Sequence, residues 1–458
     1  MKTRKMYAVI TAMLMLLACI GCGSKTENAT DYIAGDSAPG IVPENADEEA
    51  MPDAKLSAHK SKFAGEAVEG EAGEAAPELY RDEAAPAAAI DGGMKEFTMA
   101  DGGDIAIDPP VIDEPVEPAE IGQLTAGEWK DHENWGFFAN LVNNGTISFP
   151  SFGIDPTQRI TVNVTAADGS VLPNAAVTLL DGDHNAIWKA VTNKDGIAYL
   201  FETNGRKGAF VSASNPDGAD AETELETARS DSQGANLVTD RQVSVTIEGS
   251  AVYYPETQVM FIVDTTGSMG DEMFYLQSDF SAIAEEVGTD QTSYGVRFYR
   301  DEGDAYVTKT GSGFTTDTSQ IRSALNAENA DGGGDEPEAV AEALSEAFSS
   351  DDWNTEAAKI AFLIYDAPPH TGKENMLQEA IETAAAKGIR LVPVVSSNGS
   401  RETELFGRAA AICTGGSYVF LTDDSGIGGS HLEPIIGDYE VEKLHDIIVR
   451  IIRDTQQK

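Results

Sequence analysis

The stretch that decides the fold is Val259–Gly270, which reads VMFIVDTTGSMG. Its first part, Val259–Val263, is apolar, and its β-branched and aromatic content is typical of a strand buried on both faces of a sheet. The apolar run ends at Asp264, and hydroxyl residues follow before an amphipathic, helix-like pattern begins near Asp271. Because open α/β sheets bind ligands at the carboxyl edge of their strands, we expect Asp264 to lie at a binding edge.

Oxygen-bearing side chains occupy every second position after this strand. They belong to Asp264, Thr266 and Ser268, and no thiol or imidazole accompanies them. Carboxylate and hydroxyl oxygens are the ligands that a hard divalent cation such as Mg²⁺ or Ca²⁺ prefers. The alternative is a metal-free turn in which the aspartate or the serine caps the next helix.

This D-x-T-x-S spacing after an apolar strand resembles the first motif of a von Willebrand factor type A domain. In that family the motif opens a metal-ion-dependent adhesion site, which a loop threonine and a later aspartate complete. Asp366 follows the buried strand pattern Ile360–Tyr365 and matches the last of these ligands. If the two strands are neighbours in the sheet, the carboxylates of Asp264 and Asp366 reach one point.

The stretch Gly332–Glu338 departs from the family pattern. It holds no threonine or serine, and Asp335 falls where the hydroxyl is expected. A third carboxylate would leave the site negatively charged around a divalent cation, because like charges about 4 Å apart repel by several kcal/mol at an effective dielectric of about 20. We therefore expect Mg²⁺ or Ca²⁺ to be held tightly, partly as a structural ion, and the capture of an acidic ligand to be weakened.

Strand-like and helix-like patterns alternate through residues 257–458. They include an edge strand at Ala305–Thr308 and a helix at Pro337–Phe348. Such alternation is typical of a parallel, doubly wound sheet. The chain is thus predicted to be multidomain, with an α/β doubly wound, Rossmann-like A-type domain over residues 257–458.

Short alternating runs separated by turn clusters occupy residues 159–250 and predict an all-β sandwich. They resemble carboxypeptidase-regulatory-like, immunoglobulin-type domains. Asp181, Asp183 and Asn185 imitate the start of an EF-hand loop, but the required glycine and the closing glutamate are missing, so a hairpin turn is favoured. The aromatic residues within 122–158 predict a small packed cap before the sandwich.

Residues 1–22 have the pattern of a lipoprotein signal peptide. A basic head precedes the apolar run Tyr7–Ala18, which is too short to span a bilayer. The sequence LLAC ending at Cys19 resembles a bacterial lipobox, which implies acylation of Cys19, with Cys22 as the second choice; an ordinary secretory signal is the alternative. Residues 23–121 are rich in Ala, Glu, Asp, Gly and Pro and predict a disordered acidic tether. We expect a lipid-anchored protein on the extracytoplasmic face of the cell membrane.

The charge of the chain restricts its partners. It carries 77 acidic and 31 basic residues, a net charge of -46, so a nucleic acid would be repelled. We expect binding or adhesion to a protein or cell-envelope ligand and no enzymatic activity. Two alternatives stay open: a non-catalytic envelope scaffold with a structural metal, and an uncharacterised hydrolase that uses Asp264, Asp366 and the metal.

Overall fold

The part of the chain described by the computed structural model is residues 124–150, 152–226, 238–334 and 336–457. All of these described residues belong to one compact unit. The predicted signal peptide, the lipidation cysteines Cys19 and Cys22, the acidic tether and Asp335 lie outside the described residues, and those predictions stay predictions.

Two elements precede the predicted sandwich: the strand β1 (Thr125–Trp129) and the helix α1 (Trp135–Asn143). Aromatic rings of α1 pack on each other, and the ring centroids of Trp135 and Phe138 are 4.8 Å apart. The guanidinium of Arg159, in the first strand of the sandwich, lies 3.8 Å from the centroid of the Trp135 ring. The helix α1 therefore contacts the sandwich that follows it.

Within the described part of residues 158–247, the strands form two sheets that share a buried core. In chain order the strands are β2 (Gln158–Ala166), β3 (Ala176–Leu180), β4 (Ala186–Val191), β5 (Ile197–Phe201), β6 (Phe210–Ser214), β7 (Asp220–Glu224) and β8 (Thr239–Ile247). One sheet has the order β5–β2–β8 and the other has the order β4–β3–β6–β7. Between β3 and β4, the backbone N–H groups of Asp183 and Asn185 donate to Asp181 Oδ1 at 3.0 and 2.8 Å, so this segment forms a tight turn.

Strands and helices alternate in the remainder of the chain. In chain order they are β9 (Glu256–Asp264), α2 (Gly270–Val287), β10 (Thr292–Tyr299), β11 (Thr308–Thr315), α3 (Thr318–Asn326), α4 (Val340–Ser349), β12 (Ala357–Tyr365), α5 (Glu374–Lys387), β13 (Ile389–Val395), α6 (Arg401–Thr414), β14 (Tyr418–Leu421), β15 (Glu442–Lys443) and α7 (Leu444–Thr455). Their sheet has the order β11–β10–β9–β12–β13–β14–β1–β15. The strands from β10 to β14 in this order are parallel, whereas β11 and β1 are antiparallel to their neighbours. The predicted α/β architecture is confirmed, and the sheet is mixed rather than wholly parallel.

The strand β1 belongs to this sheet rather than to a separate cap. Residues Ala126–Trp129 pair antiparallel with Tyr418–Leu421, so a segment from before the sandwich completes the sheet that follows it. The prediction of a cap over residues 122–158 rests on their aromatic content, which does not indicate a partner far along the chain. The hydroxyl of Thr125, for example, donates to the carbonyl of Thr422, 297 residues away. Sequence periodicity reports which faces are buried and not which strand lies alongside.

The edge strand predicted at Ala305–Thr308 is wrong in position, since β11 overlaps it only at Thr308. A turn precedes the strand, in which the N–H of Asp304 donates to the carbonyl of Asp301 at 3.3 Å. The strand itself reads TKTGSGFT, and its glycine and hydroxyl residues lack the apolar alternation by which strands are recognised.

The helix predicted at Pro337–Phe348 begins only at Val340. Glu338 is held outside the helix because its N–H donates to the carbonyl of Pro368 at 3.0 Å, next to a parallel bridge with Pro369. This bond brings Glu338 to the loop that follows β12.

Both faces of the sheet are covered. Val259, Phe261 and Val263 of β9 lie in a core formed with α2, α3 and α7. The alternate residues Met260 and Ile262 lie in a second core with α4, α5 and α6, and this core continues into the sandwich. None of the helices in the described ranges is long and apolar enough to cross a membrane.

Candidate metal centre

Asp264 and Asp366 come together at the carboxyl edge of the sheet. Val263 pairs with Ile364 in the parallel ladder of β9 and β12, so the two strands are neighbours and end side by side. Asp264 is the last residue of β9 and is fully buried, and Asp366, directly after β12, is 6% exposed. The juxtaposition expected from the sequence is therefore present.

The hydroxyl residues of the first motif extend this cluster. The N–H and the Oγ1 of Thr266 both donate to Asp264 Oδ1, at 2.9 and 2.7 Å. The Oγ atoms of Thr266 and Ser268 are 3.5 Å apart, and Ser268 in turn interacts with the carboxylate of Asp366. The structure thus brings four of the five predicted ligands together, and Asp335 lies outside the described residues.

Burial makes both carboxylates costly to ionise. It raises the pKa of Asp264 to about 7, with the charge of Asp366 adding to the effect and the bonds from Thr266 opposing it. Burial likewise raises the pKa of Asp366 to about 6, against the opposing interaction with Ser268. A nearby positive charge would relieve both costs.

One oxygen of the cluster has no hydrogen-bond partner among the described residues. Asp264 Oδ2 is buried, and although the hydroxyl of Tyr299 interacts with this carboxyl group and lowers its pKa, neither atom has a partner in hydrogen-bonding geometry. A buried oxygen without a partner is rare and unfavourable in proteins. The donor set of carboxylate and hydroxyl oxygens, with one oxygen unused, therefore fits a divalent cation.

No three His, Cys, Asp or Glu side chains converge tightly enough to hold an ion by themselves within the described ranges. A cation at this edge would consequently depend on the hydroxyls of Thr266 and Ser268 as well as on the two aspartates.

A glycine-rich loop closes over the first motif. The N–H of Gly267 donates to the carbonyl of Gly332 at 3.1 Å. Gly333 has φ +68, and a Cβ there would lie 2.9 Å from Glu338 Oε1 and 3.1 Å from Thr266 Cβ. A side chain at this position would press on both neighbours, so the close approach of the loop to the site requires glycine.

Glu338 also lies at this edge, although its place in the sequence does not mark it as a site residue. It is 4% exposed, and its Oε2 is buried without a hydrogen bond to any described residue. Burial raises its pKa to about 9, and the charges of Asp264, Asp301, Asp366 and Asp304 add to this. The sequence pattern places Glu338 in the first turn of a predicted helix, where an exposed glutamate is usual. The pattern therefore gives no sign that Glu338 is buried at the site.

Another buried glutamate lies beside Asp366. Glu272 Oε1 accepts bonds from the N–H and the Oγ of Ser397 at 2.9 and 2.7 Å. Ser397 Oγ is 3.2 Å from His431 Nε2, and His431 Nδ1 is 2.7 Å from an oxygen of Asp423.

These last three residues are of the types found in a serine-hydrolase triad. Ser397, however, gives its hydroxyl proton to Glu272 and is 3% exposed. The N–H of Asn398, which would stabilise an oxyanion, donates to the carbonyl of Ser430 at 2.8 Å. The arrangement therefore fixes the loop around Ser430 against the end of β13 and does not have the geometry of a serine-hydrolase triad.

Comparison with known families identifies the domain. Residues 258–426 match the family described as von Willebrand factor A domain. The match runs from β9 past β14 and includes both strands that end in the paired aspartates. No curated protein matches the chain. The immunoglobulin-like assignment of the sandwich stays a prediction.

Proposed function

We propose that the von Willebrand factor A domain of this chain is a binding module that holds Mg²⁺ or Ca²⁺ at the carboxyl edge of its sheet. Asp264, Asp366, Thr266 and Ser268 would supply the oxygens, and Asp335 is proposed as a further ligand. The observation that carries the proposal is the buried, unpartnered Oδ2 of Asp264 next to Asp366 on the neighbouring strand.

The partner would be a protein or a cell-envelope component bound at this edge, as von Willebrand factor A domains generally mediate protein interactions. The acidic surroundings favour the cation over an acidic ligand. Glu338 adds a carboxyl group beyond the two aspartates, and the proposed ligand Asp335 would add another, so a cation of charge +2 would not neutralise all of them. We propose therefore that a carboxylate of the partner is bound weakly at most.

We also propose that the protein is held on the extracytoplasmic face of the cell membrane by lipid on Cys19, or on Cys22 as the second choice. Residues 23–121 would serve as the tether between the anchor and the described domains. Nucleic-acid binding is not part of the proposal, in keeping with the net charge of -46, and no enzymatic activity is proposed.

Metal binding is tested by isothermal titration of the full chain in detergent with MgCl₂ and with CaCl₂. We expect saturable binding that Asp264→Asn abolishes and Asp290→Asn, at an exposed aspartate before the amino end of β10, leaves unchanged. Absence of heat with either ion, together with an unchanged melting temperature at millimolar metal, would refute the proposed centre.

The binding function is tested by capturing partners on the tagged full chain from solubilised envelopes of the producing cells, with and without EDTA. A partner that is lost both in EDTA and with Asp264→Asn supports metal-dependent adhesion. A partner retained under both conditions supports the scaffold alternative instead.

A further inference from the structure

Thr265, the residue between Asp264 and Thr266, is enclosed by a polar cluster on the side away from the aspartates. Thr265 is fully buried, and its Oγ1 lies 2.7 Å from the hydroxyl of Tyr306 and 2.9 Å from the carbonyl of Tyr299. Arg300 Nε donates to the same Oγ1 at 3.4 Å. The turn that carries the two site residues is thus held from outside the site.

Glu328 is the centre of this cluster. It is 3% exposed, and its Oε1 accepts from Tyr306 at 2.6 Å and from Arg300 at 3.2 Å. Its Oε2 accepts from Lys309. We call Thr265, Arg300, Tyr306, Lys309 and Glu328 the Glu328 cluster.

The positions of the hydrogens follow from the donors available. A tyrosine hydroxyl has one proton, and a carboxylate can only accept, so Tyr306 donates to Glu328. Thr265 also has one hydroxyl proton, and the carbonyl of Tyr299 and the hydroxyl oxygen of Tyr306 share it as acceptors at 2.9 and 2.7 Å. Tyr306, held by Glu328, thus restricts the rotamer of Thr265 together with Tyr299.

The cluster joins segments that are distant in sequence. Tyr306 lies just before β11, and Lys309 lies in it. Glu328 lies just after α3, at the start of the segment that leads into the glycine-rich loop. In that segment the N–H of Asp331 donates to the carbonyl of Thr265 at 3.0 Å. The backbone and the side chain of Thr265 are therefore fixed by Tyr299, Tyr306 and Asp331, of which Tyr299 also interacts with the carboxylate of Asp264.

We propose that the Glu328 cluster positions the first motif for the cation, with Tyr306 and Glu328 as positioning residues that act through Thr265. This inference rests on the proposed metal centre. Without the cluster, the turn that positions the Asp264 carboxylate and Thr266 Oγ1 loses its outer support, and part of the binding free energy is spent on ordering that turn.

The test compares Mg²⁺ affinities of full-chain variants by isothermal titration. We expect Tyr306→Phe, which removes the hydroxyl that contacts both Thr265 and Glu328, to weaken Mg²⁺ binding about fivefold. The matched control is Tyr294→Phe, which removes another tyrosine hydroxyl. That hydroxyl donates to the carbonyl of Gly288 at 3.4 Å, and Tyr294 lies near the amino end of β10, at the opposite end of the strand from the cluster. The control variant should bind Mg²⁺ as the unaltered chain does.

A double-variant comparison separates positioning from general destabilisation. If Tyr306 acts through Thr265, then Thr265→Val combined with Tyr306→Phe binds no more weakly than Thr265→Val alone. Glu328→Gln should show the same non-additivity with Thr265→Val. Melting temperatures in EDTA report folding independently of the metal.

The outcomes distinguish this inference from the proposed centre. Absence of Mg²⁺ binding by the unaltered chain refutes the centre itself. If the unaltered chain and Tyr306→Phe bind Mg²⁺ with equal affinity, the positioning role is refuted and the centre stands. Fully additive losses of affinity in the double variants would refute the positioning role in the same way.

Discussion

At the residue scale, Asp264 combines complete burial with an oxygen that has no hydrogen-bond partner in the described structure. Its Oδ1 is used by Thr266, so only Oδ2 is available to a ligand. Folding raises its pKa from 3.8 to about 7 through burial, with the charge of Asp366 adding to it. A carboxyl group whose pKa is raised by folding keeps its proton to a higher pH in the folded state than in the unfolded state. The free energy of unfolding of the metal-free chain therefore falls as the pH rises from 3.8 to about 7.

Asp264→Asn should therefore have opposite effects in the absence and presence of metal. At pH 8 in EDTA we expect the variant to be more stable by about 1 kcal/mol, because the amide keeps an acceptor for Thr266 and removes a buried charge. With Mg²⁺ at 100 times its dissociation constant, the unaltered chain should gain about 2.7 kcal/mol and the variant almost nothing. Urea unfolding under both conditions measures this.

The control for that experiment is Asp290→Asn, whose aspartate is exposed. It should follow the unaltered chain in both buffers. If Asp264→Asn is destabilised in EDTA and gains as much from Mg²⁺ as the unaltered chain, Asp264 is not a metal ligand.

The residues of the site differ in how far the sequence reveals them. Asp264, Thr266, Ser268 and Asp366 follow apolar strands, and the pattern that predicts each strand also predicts its end. Glu338 has no such marker, because its position depends on a bond to Pro368 in another loop. The supporting role of Thr265 is equally hidden, since its partners come from separate parts of the chain.

At the element scale, the strands buried on both faces were predicted well and the edge elements poorly. The predicted runs Val259–Val263 and Ile360–Tyr365 fall within β9 and β12. Burial on both faces produces an uninterrupted apolar run that the sequence displays directly. The strand β11 lies at an edge with little apolar content, and β1 depends on a distant partner, so neither has a local signal.

Two helices on one face of the sheet are joined by a histidine. His445 of α7 contacts two carboxylates of α2: its Nδ1 is 2.9 Å from Asp279 and its Nε2 is 3.0 Å from Glu286. Burial lowers the pKa of His445, but the bonds to Glu286 and Asp279 outweigh burial and raise it above 6.5. A histidine whose pKa is raised by folding stabilises the folded state while it is protonated.

We expect His445→Gln to cost about 1–2 kcal/mol of unfolding free energy at pH 6, where the imidazolium bonds are complete. The difference from the unaltered chain should shrink as pH rises above 6.5 through the raised pKa. Urea unfolding between pH 6 and pH 9 measures it. A difference that is constant, or that grows with pH, would show that the histidine contributes no charge-dependent stability.

At the scale of the whole described structure, the sandwich and the von Willebrand factor A domain share a continuous core. A reciprocal amide pair reinforces it: Asn174 Nδ2 donates to Gln457 Oε1 at 2.6 Å, and Gln457 Nε2 donates to Asn174 Oδ1 at 2.9 Å. Gln457 Oε1 also accepts from the N–H of Tyr254, in the segment that connects the two domains. We expect the two domains to unfold together.

Gln457→Ala should lower the free energy of unfolding by about 1–3 kcal/mol, because it leaves the buried amide of Asn174 with fewer partners. The neighbouring change Gln456→Ala removes only a bond at 3.2 Å to Thr292 within the A domain and should cost less. Calorimetry should show a single transition that shifts with Gln457→Ala. Two separate transitions, of which the variant moves only one, would contradict coupled unfolding.

The insertion of β1 between β14 and β15 has a mechanical consequence. Any pulling force applied to residues upstream of Leu124 meets the A-domain sheet before it reaches the sandwich. Because β1 runs antiparallel to β14 along Ala126–Trp129, such a load is shared among several backbone hydrogen bonds at once. When the opposing force acts on the A domain, the tension passes through the sheet that carries the paired aspartates and bypasses the sandwich.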